Sequence, residues 1–324
     1  MFAPDGSWLA ASTGTGDILI WPLEDGRIGA PRTLFHEDGY GFTSLETDDR
    51  GRFLVAHVAD SEKGNGTLVQ VSLPEGKVRT WQGAGGGLEV DGSGRWIASG
   101  LRRAAVLPTR VWDANTGKMW DLGDEETLVG FRRDGRLLTV REKKLYAWDM
   151  MSDERQVVLE DCPWKFVRLC PDRETLSFNG DDGSAFLLRP GESEPKRLPA
   201  DLWQDSGFPS AADARCNLFV IGRLDGSVDV VRASSGEVHR LPLHDGVVVA
   251  AVDPREKWVA SSGDDGLKLW PIPTGRPYLS LPREEFLRKL RSYTNLRAVK
   301  DDKQGTGYSI EASGIPDWQH PPQW

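Results

Sequence analysis

One phrase returns seven times along this chain: a turn of Asp/Gly type, a short apolar strand, a second turn, and a strand that ends in Trp in the best copies. Those copies are PDGSWLAASTGTGDILIW (Pro4–Trp21), DGSGRWIASG…RVWDANTG (Asp91–Gly117), RDGRLLTVREKKLYAWD (Arg133–Asp149) and PREKWVASSGDDGLKLW (Pro254–Trp270). Weaker copies are DRGRFLVAHV…GTLVQVSLPEG, PDRETLSFNGDDGSAFLLRPG and DARCNLFVIGRLDGSVDVVRASSG. Aligned on their first bulky residue, the units begin at Trp8, Phe53, Trp96, Leu137, Thr175, Leu218 and Trp258, in steps of 45, 43, 41, 38, 43 and 40 residues. That period belongs to a four-stranded blade repeated around a ring, so the expected fold is all-β and seven-bladed.

The last unit shows how one repeat makes one blade. Val247–Val252 is an apolar run suited to an inner strand. The turn Pro254-Arg255-Glu256-Lys257 leads to a second strand, Trp258–Ser262. Gly263-Asp264-Asp265-Gly266 turns the chain again into Leu267–Trp270, whose sides alternate, and Tyr278–Leu281 supplies an outer strand. A single blade cannot bury both of its faces. Its core must come from the blades on either side, so the ring is the unit of stability.

Bulk properties narrow the function. The 324 residues carry a formal net charge of −9, which argues against nucleic-acid or anionic-membrane binding. Of thirteen Trp, four (Trp21, Trp112, Trp148, Trp270) share one repeat position, which makes most of the Trp excess structural. Three cysteines, Cys162, Cys170 and Cys216, in so long a chain point to a reducing compartment without a disulfide framework. No stretch approaches 18 apolar residues and no signal region opens the chain, so a cytoplasmic location is expected.

The units resemble WD (WD40) repeats over roughly Phe2–Leu281. In that family a His between blades, a Ser or Thr on the second strand, an Asp in the following turn and the third-strand Trp form a buried hydrogen-bonded chain. The resemblance implies this structural network at His244, Ser261 or Ser262, Asp264 or Asp265, and Trp270, and only the last unit matches it fully. Asp182 and Asp225 precede Leu188 and Val231 by six residues, where no Trp stands, so units two, five and six depart from the pattern.

Both ends depart from a complete ring. Met1–Gly6 begins almost at the first turn, so the first blade is expected to lack its inner strand. Either the chain is the C-terminal piece of a longer protein or its tail fills the gap. The propeller is assigned to residues 1–281 and a tail to 282–324. Pro282–Leu296 reads as a short amphipathic helix, with Glu284 and Glu285 early and Arg and Lys late. Leu296–Val299 and Gly307–Ala312 read as a hairpin. The tail is similar to the C-terminus of long bacterial WD-repeat proteins, some fused to a Ser/Thr protein kinase domain, which implies a signalling context.

Chemistry finds little support. Within this chain no Gly-rich phosphate loop precedes a Lys-bearing strand, and HRD and DFG motifs are absent. Gly83–Gly87 lacks the Lys-Ser/Thr of a P-loop and reads as a connector. The cysteines lack zinc-ligand spacing, and the five His are dispersed. The sequence therefore predicts no catalytic residues, no metal and no cofactor. A channel-mouth enzyme would need acids, Arg or His converging from several blades.

Binding is the better expectation. Loops joining second and third strands share one face with the inter-blade connectors. That face carries Arg102, Arg103, Arg141, Lys143 and Lys144 on one side and Asp181, Asp182, Asp264 and Asp265 on the other. Connectors add Tyr40, Trp81, Trp164 and Trp203. Aromatics and Arg dominate binding hot spots, so a protein or peptide partner is expected there, with Trp164 and Trp203 as first candidates.

Overall fold

The computed structural model describes residues 1–13, 15–24, 27–38, 41–58, 66–100, 108–162, 166–179, 184–198, 211–223, 225–241, 244–246, 249–272, 282–286, 296–300 and 308–312. Seven antiparallel sheets follow one another along the chain, each strand pairing with the next in sequence except in blade 1, where Arg27–Ile28 and Arg32–His36 both pair with Asp17–Glu24. Blade 1 holds Trp8–Ser12, Asp17–Glu24 and Arg32–His36; blade 2 holds Phe42–Thr47, Phe53–Val58, Gly66–Ser72 and Val78–Ala84. Blade 3 holds Gly87–Val90, Trp96–Gly100, Thr109–Asp113 and Met119–Gly123; blade 4 holds Thr127–Phe131, Leu137–Arg141, Lys144–Asp149 and Glu154–Leu159. Blades 5 and 6 start their inner strands at Phe166–Leu169 and Ala211–Ala212, and blade 7 holds Val249–Val252, Trp258–Gly263 and Gly266–Pro271. The expected outer strand of blade 7, Tyr278–Leu281, lies outside the described residues.

The core is divided among the seams between blades. Leu54, Val58 and Val69 of blade 2 meet Ala10 and Ile18 of blade 1, and Leu88 and Ile97 of blade 3 meet Val55 and Leu68 of blade 2. The same arrangement repeats at each later seam, with Phe131 and Trp96, then Phe178 and Leu145, then Phe219 and Leu187, then Val259 and Val230. At the final seam Phe2, Leu9 and Leu23 of blade 1 pack with Ala260, and Trp21, Trp258 and Leu267 join them. Each seam therefore buries side chains that a lone blade would leave in water, at roughly 2 kcal/mol for a fully buried Leu or Phe.

The first blade corrects the expectation of a missing inner strand. Met1–Ala3 run along the inner edge of Trp8–Ser12. The Ala3 N–H donates to the Trp8 carbonyl at 2.8 Å, and the Ala10 N–H donates to the Met1 carbonyl at 2.8 Å. The Met1 amine donates back to the Ala10 carbonyl at 2.7 Å. Three residues thus satisfy the ladder groups nearest the first turn. The ring closes by packing, and the Arg255 guanidinium of blade 7 donates to the Gly6 carbonyl at 2.8 Å.

Among the described residues the tail does not supply that strand. Leu296–Lys300 and Tyr308–Ala312 pair as a hairpin that forms a sheet of its own. Residues 283–286 form a helical turn after Pro282, whose carbonyl accepts the Phe286 N–H. The rest of the expected Pro282–Leu296 helix lies outside the described residues. Among the described residues no helix is long and apolar enough to cross a membrane.

Candidate functional site

The polar chain of blade 7 is assembled from three elements. His244 sits in the connector from blade 6, Ser261 on the second strand and Trp270 on the third. The Trp270 Nε1–H donates to Ser261 Oγ at 2.7 Å, and Ser261 Oγ lies 2.7 Å from His244 Nε2. His244 Nδ1 lies 2.5 Å from Asp265 Oδ1, and Lys268 Nζ donates to Asp265 Oδ2 at 2.5 Å. A carboxylate can only accept, so Nδ1 carries the proton, Nε2 accepts from the serine, and the donors from Trp270 to His244 all point toward Asp265, which Lys268 meets from the other side. Hydrogen bonds from Lys268 and then His244 hold the Asp265 carboxyl down to about 2.

Ser261, His244 and Asp265 stand in the order of a hydrolase triad, but the setting removes that chemistry. Ser261 and His244 are 1% and 3% exposed, and the serine oxygen is already occupied by the indole N–H. The chain satisfies buried polar groups at a seam. Asp264, named beside Asp265 in the sequence, takes another role. It is exposed, and its N–H donates to the Asp245 carbonyl at 2.9 Å.

The connectors and the second-to-third-strand loops do share a face, and backbone bonds pin one to the other. The Glu37 N–H donates to the Gly16 carbonyl at 3.1 Å, Cys162 to Lys143 at 2.6 Å, and His244 to Gly226 at 2.8 Å. Gly16 and Gly226 have φ of 95° and 83°, and a Cβ on either would stand 2.0 Å from the connector carbonyl. These glycines are therefore required both by conformation and by close approach. In blade 4 Lys143 adopts φ of 61° to make the same contact. Gly85 of the glycine-rich connector likewise needs its bare backbone, because a Cβ there would lie 2.9 Å from the Gly100 Cα.

The charge expected on this face is partly spoken for. Arg141 pairs with Glu125 at 2.5 Å and lies 3.9 Å from both Glu126 and Glu142. Lys144 pairs with Glu160 at 2.7 Å. Trp81 is half-buried on the outer strand of blade 2 and packs on the seam with blade 3. Tyr40, Arg102, Arg103, Trp164, Trp203, Asp181 and Asp182 lie outside the described residues. Among the described residues no group of three or more His, Cys, Asp or Glu is placed to hold a metal ion.

The expectation of no disulfide is overturned. Cys170, at the end of the inner strand of blade 5, bonds Cys216 in the first turn of blade 6. Their separation of 46 residues is close to one repeat period, so the ring brings equivalent regions of adjacent blades together. Counting cysteines missed this; placing them on the repeat would have shown it. The bond also removes the ground for inferring a reducing compartment from cysteine usage. Cys162 is buried and takes no part in that disulfide.

Comparison with solved structures agrees with the architecture. The β-propeller domain of Cps50 (Swd1) from Myceliophteria thermophila matches at a TM-score of 0.62 and 16% identity, over 84% of this chain and 95% of that one. A chain of the mitotic checkpoint complex matches at a TM-score of 0.60 and 17% identity, over 84% and 88%. No family model and no curated protein matches the sequence. The class established is the fold: a seven-bladed β-propeller of WD40 type with a short helix and hairpin in its tail.

Proposed function

We propose that this propeller is a non-enzymatic scaffold that holds a protein or peptide partner on the connector face. The observation that carries this is the pinning of that face. Glu37, Cys162 and His244 each donate a backbone bond to a turn of the preceding blade. A surface fixed in this way loses little conformational freedom on binding, which is the general route to affinity from a rigid scaffold. The similar chain from the mitotic checkpoint complex is itself part of a protein assembly. Trp164 and Trp203 are the leading candidate anchors, with Tyr40, Arg102 and Arg103 as further candidates; Trp81, packed on the blade 2–3 seam, and Arg141, held by Glu125, contribute less.

The test is affinity capture with the full chain and a Trp164→Ala/Trp203→Ala variant shown by circular dichroism to be folded. Partner capture by the parent chain that disappears in the variant supports the assignment. Undiminished capture by the variant overturns it.

A further inference from the structure

The seven turns between inner and second strands are built alike. In each, the N–H of the fourth residue donates to the carbonyl of the first, at 2.8 to 3.1 Å. That fourth residue is Gly6, Gly51, Gly94 and Gly135 in blades 1 to 4, and Arg173, Cys216 and Glu256 in blades 5 to 7. All seven have φ between 54° and 83°. Glycine is the easy choice for such a backbone, and three side chains that forgo it need a reason.

The reason is direction. A Cβ on Gly51 would meet Trp8 of blade 1, one on Gly94 would meet Phe53 of blade 2, and one on Gly6 would meet Arg255 of blade 7. The position points back at the preceding blade. Cys216 uses it to bond Cys170. Glu256 uses it to reach Asp213, whose carboxyl is pushed up by burial and by Glu256. Arg173 reaches furthest. Its Nη1 donates to the carbonyls of Phe131 in blade 4, at 3.4 Å, and of Val90 in blade 3, at 2.8 Å. Its Nε donates to Asp49 Oδ1 of blade 2 at 3.0 Å. A Cβ on Gly135, the same position in blade 4, would meet nothing within 4 Å.

We infer that Arg173 is a bolt across the central channel at this end of the ring. Phe131 and Val90 end their inner strands, and Asp49 stands two residues beyond the end of its own. Blades 2 and 5 are three-sevenths of a turn apart, roughly 150° around the axis. A side chain joining them passes close to that axis. The planar guanidinium supplies separate donors for two carbonyls and a carboxylate, which an ammonium cannot do in one plane. The side chain is only 17% exposed, as a group held across an opening would be. Ligands of the channel then enter from the connector face, and the bolt holds whether or not that face binds a partner.

The experiment is thermal unfolding of the full chain carrying Arg173→Gly, Asp49→Asn or both. Glycine relieves the backbone strain at this position, so an idle side chain predicts a midpoint equal to or above the parent. The bolt predicts a midpoint lower by about 4 °C or more, as the loss of one sizeable interaction produces. It also predicts that the double variant falls by clearly less than the two single losses added together. Guanidinium chloride at low millimolar concentration should recover part of the Arg173→Gly loss and none in the double variant. An unchanged or raised midpoint, or additive losses without rescue, overturns the assignment. Arg173→Lys gives an independent reading, because it retains the cation and the strain but not the fork. A midpoint below the parent supports the bolt, and parity with the parent overturns it.

Discussion

Blades 5 and 7 solve the same packing problem with opposite chemistry. In blade 7 the wedge under the connector is filled by His244, Ser261 and Trp270, hydrogen-bonded to one another and to Asp265. In blade 5 the corresponding places are taken by Cys162, Phe178 and Leu188, packed as an apolar cluster with Leu138 and Leu145. Cys162 and His244 even make the same backbone bond to the preceding blade. The backbone geometry of a seam is thus independent of whether polar or apolar groups fill it. What differs is vulnerability. A polar chain fails if one member is lost, because its neighbours stay buried without partners. An apolar wedge loses in proportion to the volume removed.

That contrast can be broken or sharpened by substitution. Phe178→Ala should cost about 4 kcal/mol in chemical denaturation, the usual result of emptying a fully buried Phe site. Breaking the Cys170–Cys216 bond should cost about 3 kcal/mol at the blade 5–6 seam. Mass spectrometry of non-reduced peptides first establishes the bond, and urea midpoints with and without reductant give the loss. Ser261→Ala deletes a single oxygen yet should cost about 2 kcal/mol, since the Trp270 N–H and His244 Nε2 are both stranded. A loss below about 0.5 kcal/mol would show that water relieves the chain and that the two blades differ less than their residues imply.

The smallest effect has the opposite sign. Asp213 in the first turn of blade 6 and Asp265 in the second turn of blade 7 titrate in opposite senses. Asp265 is held below its ordinary value, so its contribution is present above an unfolded value near 4 and is lost as pH falls toward about 2. Asp213 is held above its ordinary value by burial and Glu256, so its seam gains stability as pH falls through that raised value. Asp213→Asn keeps an acceptor for the Leu218 N–H and removes the repulsion. It should raise stability at pH 7 by less than about 1 kcal/mol and flatten the acid limb of the stability–pH curve.

How much of this was legible follows from where glycine and tryptophan fall. Blades 1, 3, 4 and 7 announce themselves through Trp21, Trp112, Trp148 and Trp270, and the first three also carry Gly6, Gly94 and Gly135 in their first turns. Blades 5 to 7 hide the same turn behind Arg173, Cys216 and Glu256, since a left-handed backbone excludes no residue and merely disfavours most by about 1–2 kcal/mol. Their role emerges only when the ring brings preceding blades within reach. The polar chain of blade 7 was legible as a set, but Asp264 and Asp265 are adjacent, and only geometry assigns the carboxylate to Asp265. The inner edge of blade 1 is paired by Met1–Ala3 through a single bridge, too little sequence to show alternation. The aromatics proposed as anchors stand out in the sequence because they break the repeat, and Tyr40, Trp164 and Trp203 fall between the repeat units.

Closure by packing has a consequence for chain order. Among the described residues the join between blades 7 and 1 is made of buried side chains and a turn contact, materials that the joins along the chain also use. Nothing in that join depends on which blade is synthesised first. As a closed object the ring has seven comparable joins at which a polypeptide could be opened. A circularly permuted gene that opens the chain at another connector keeps every seam intact, and the protein it encodes has the same ring with a different first blade.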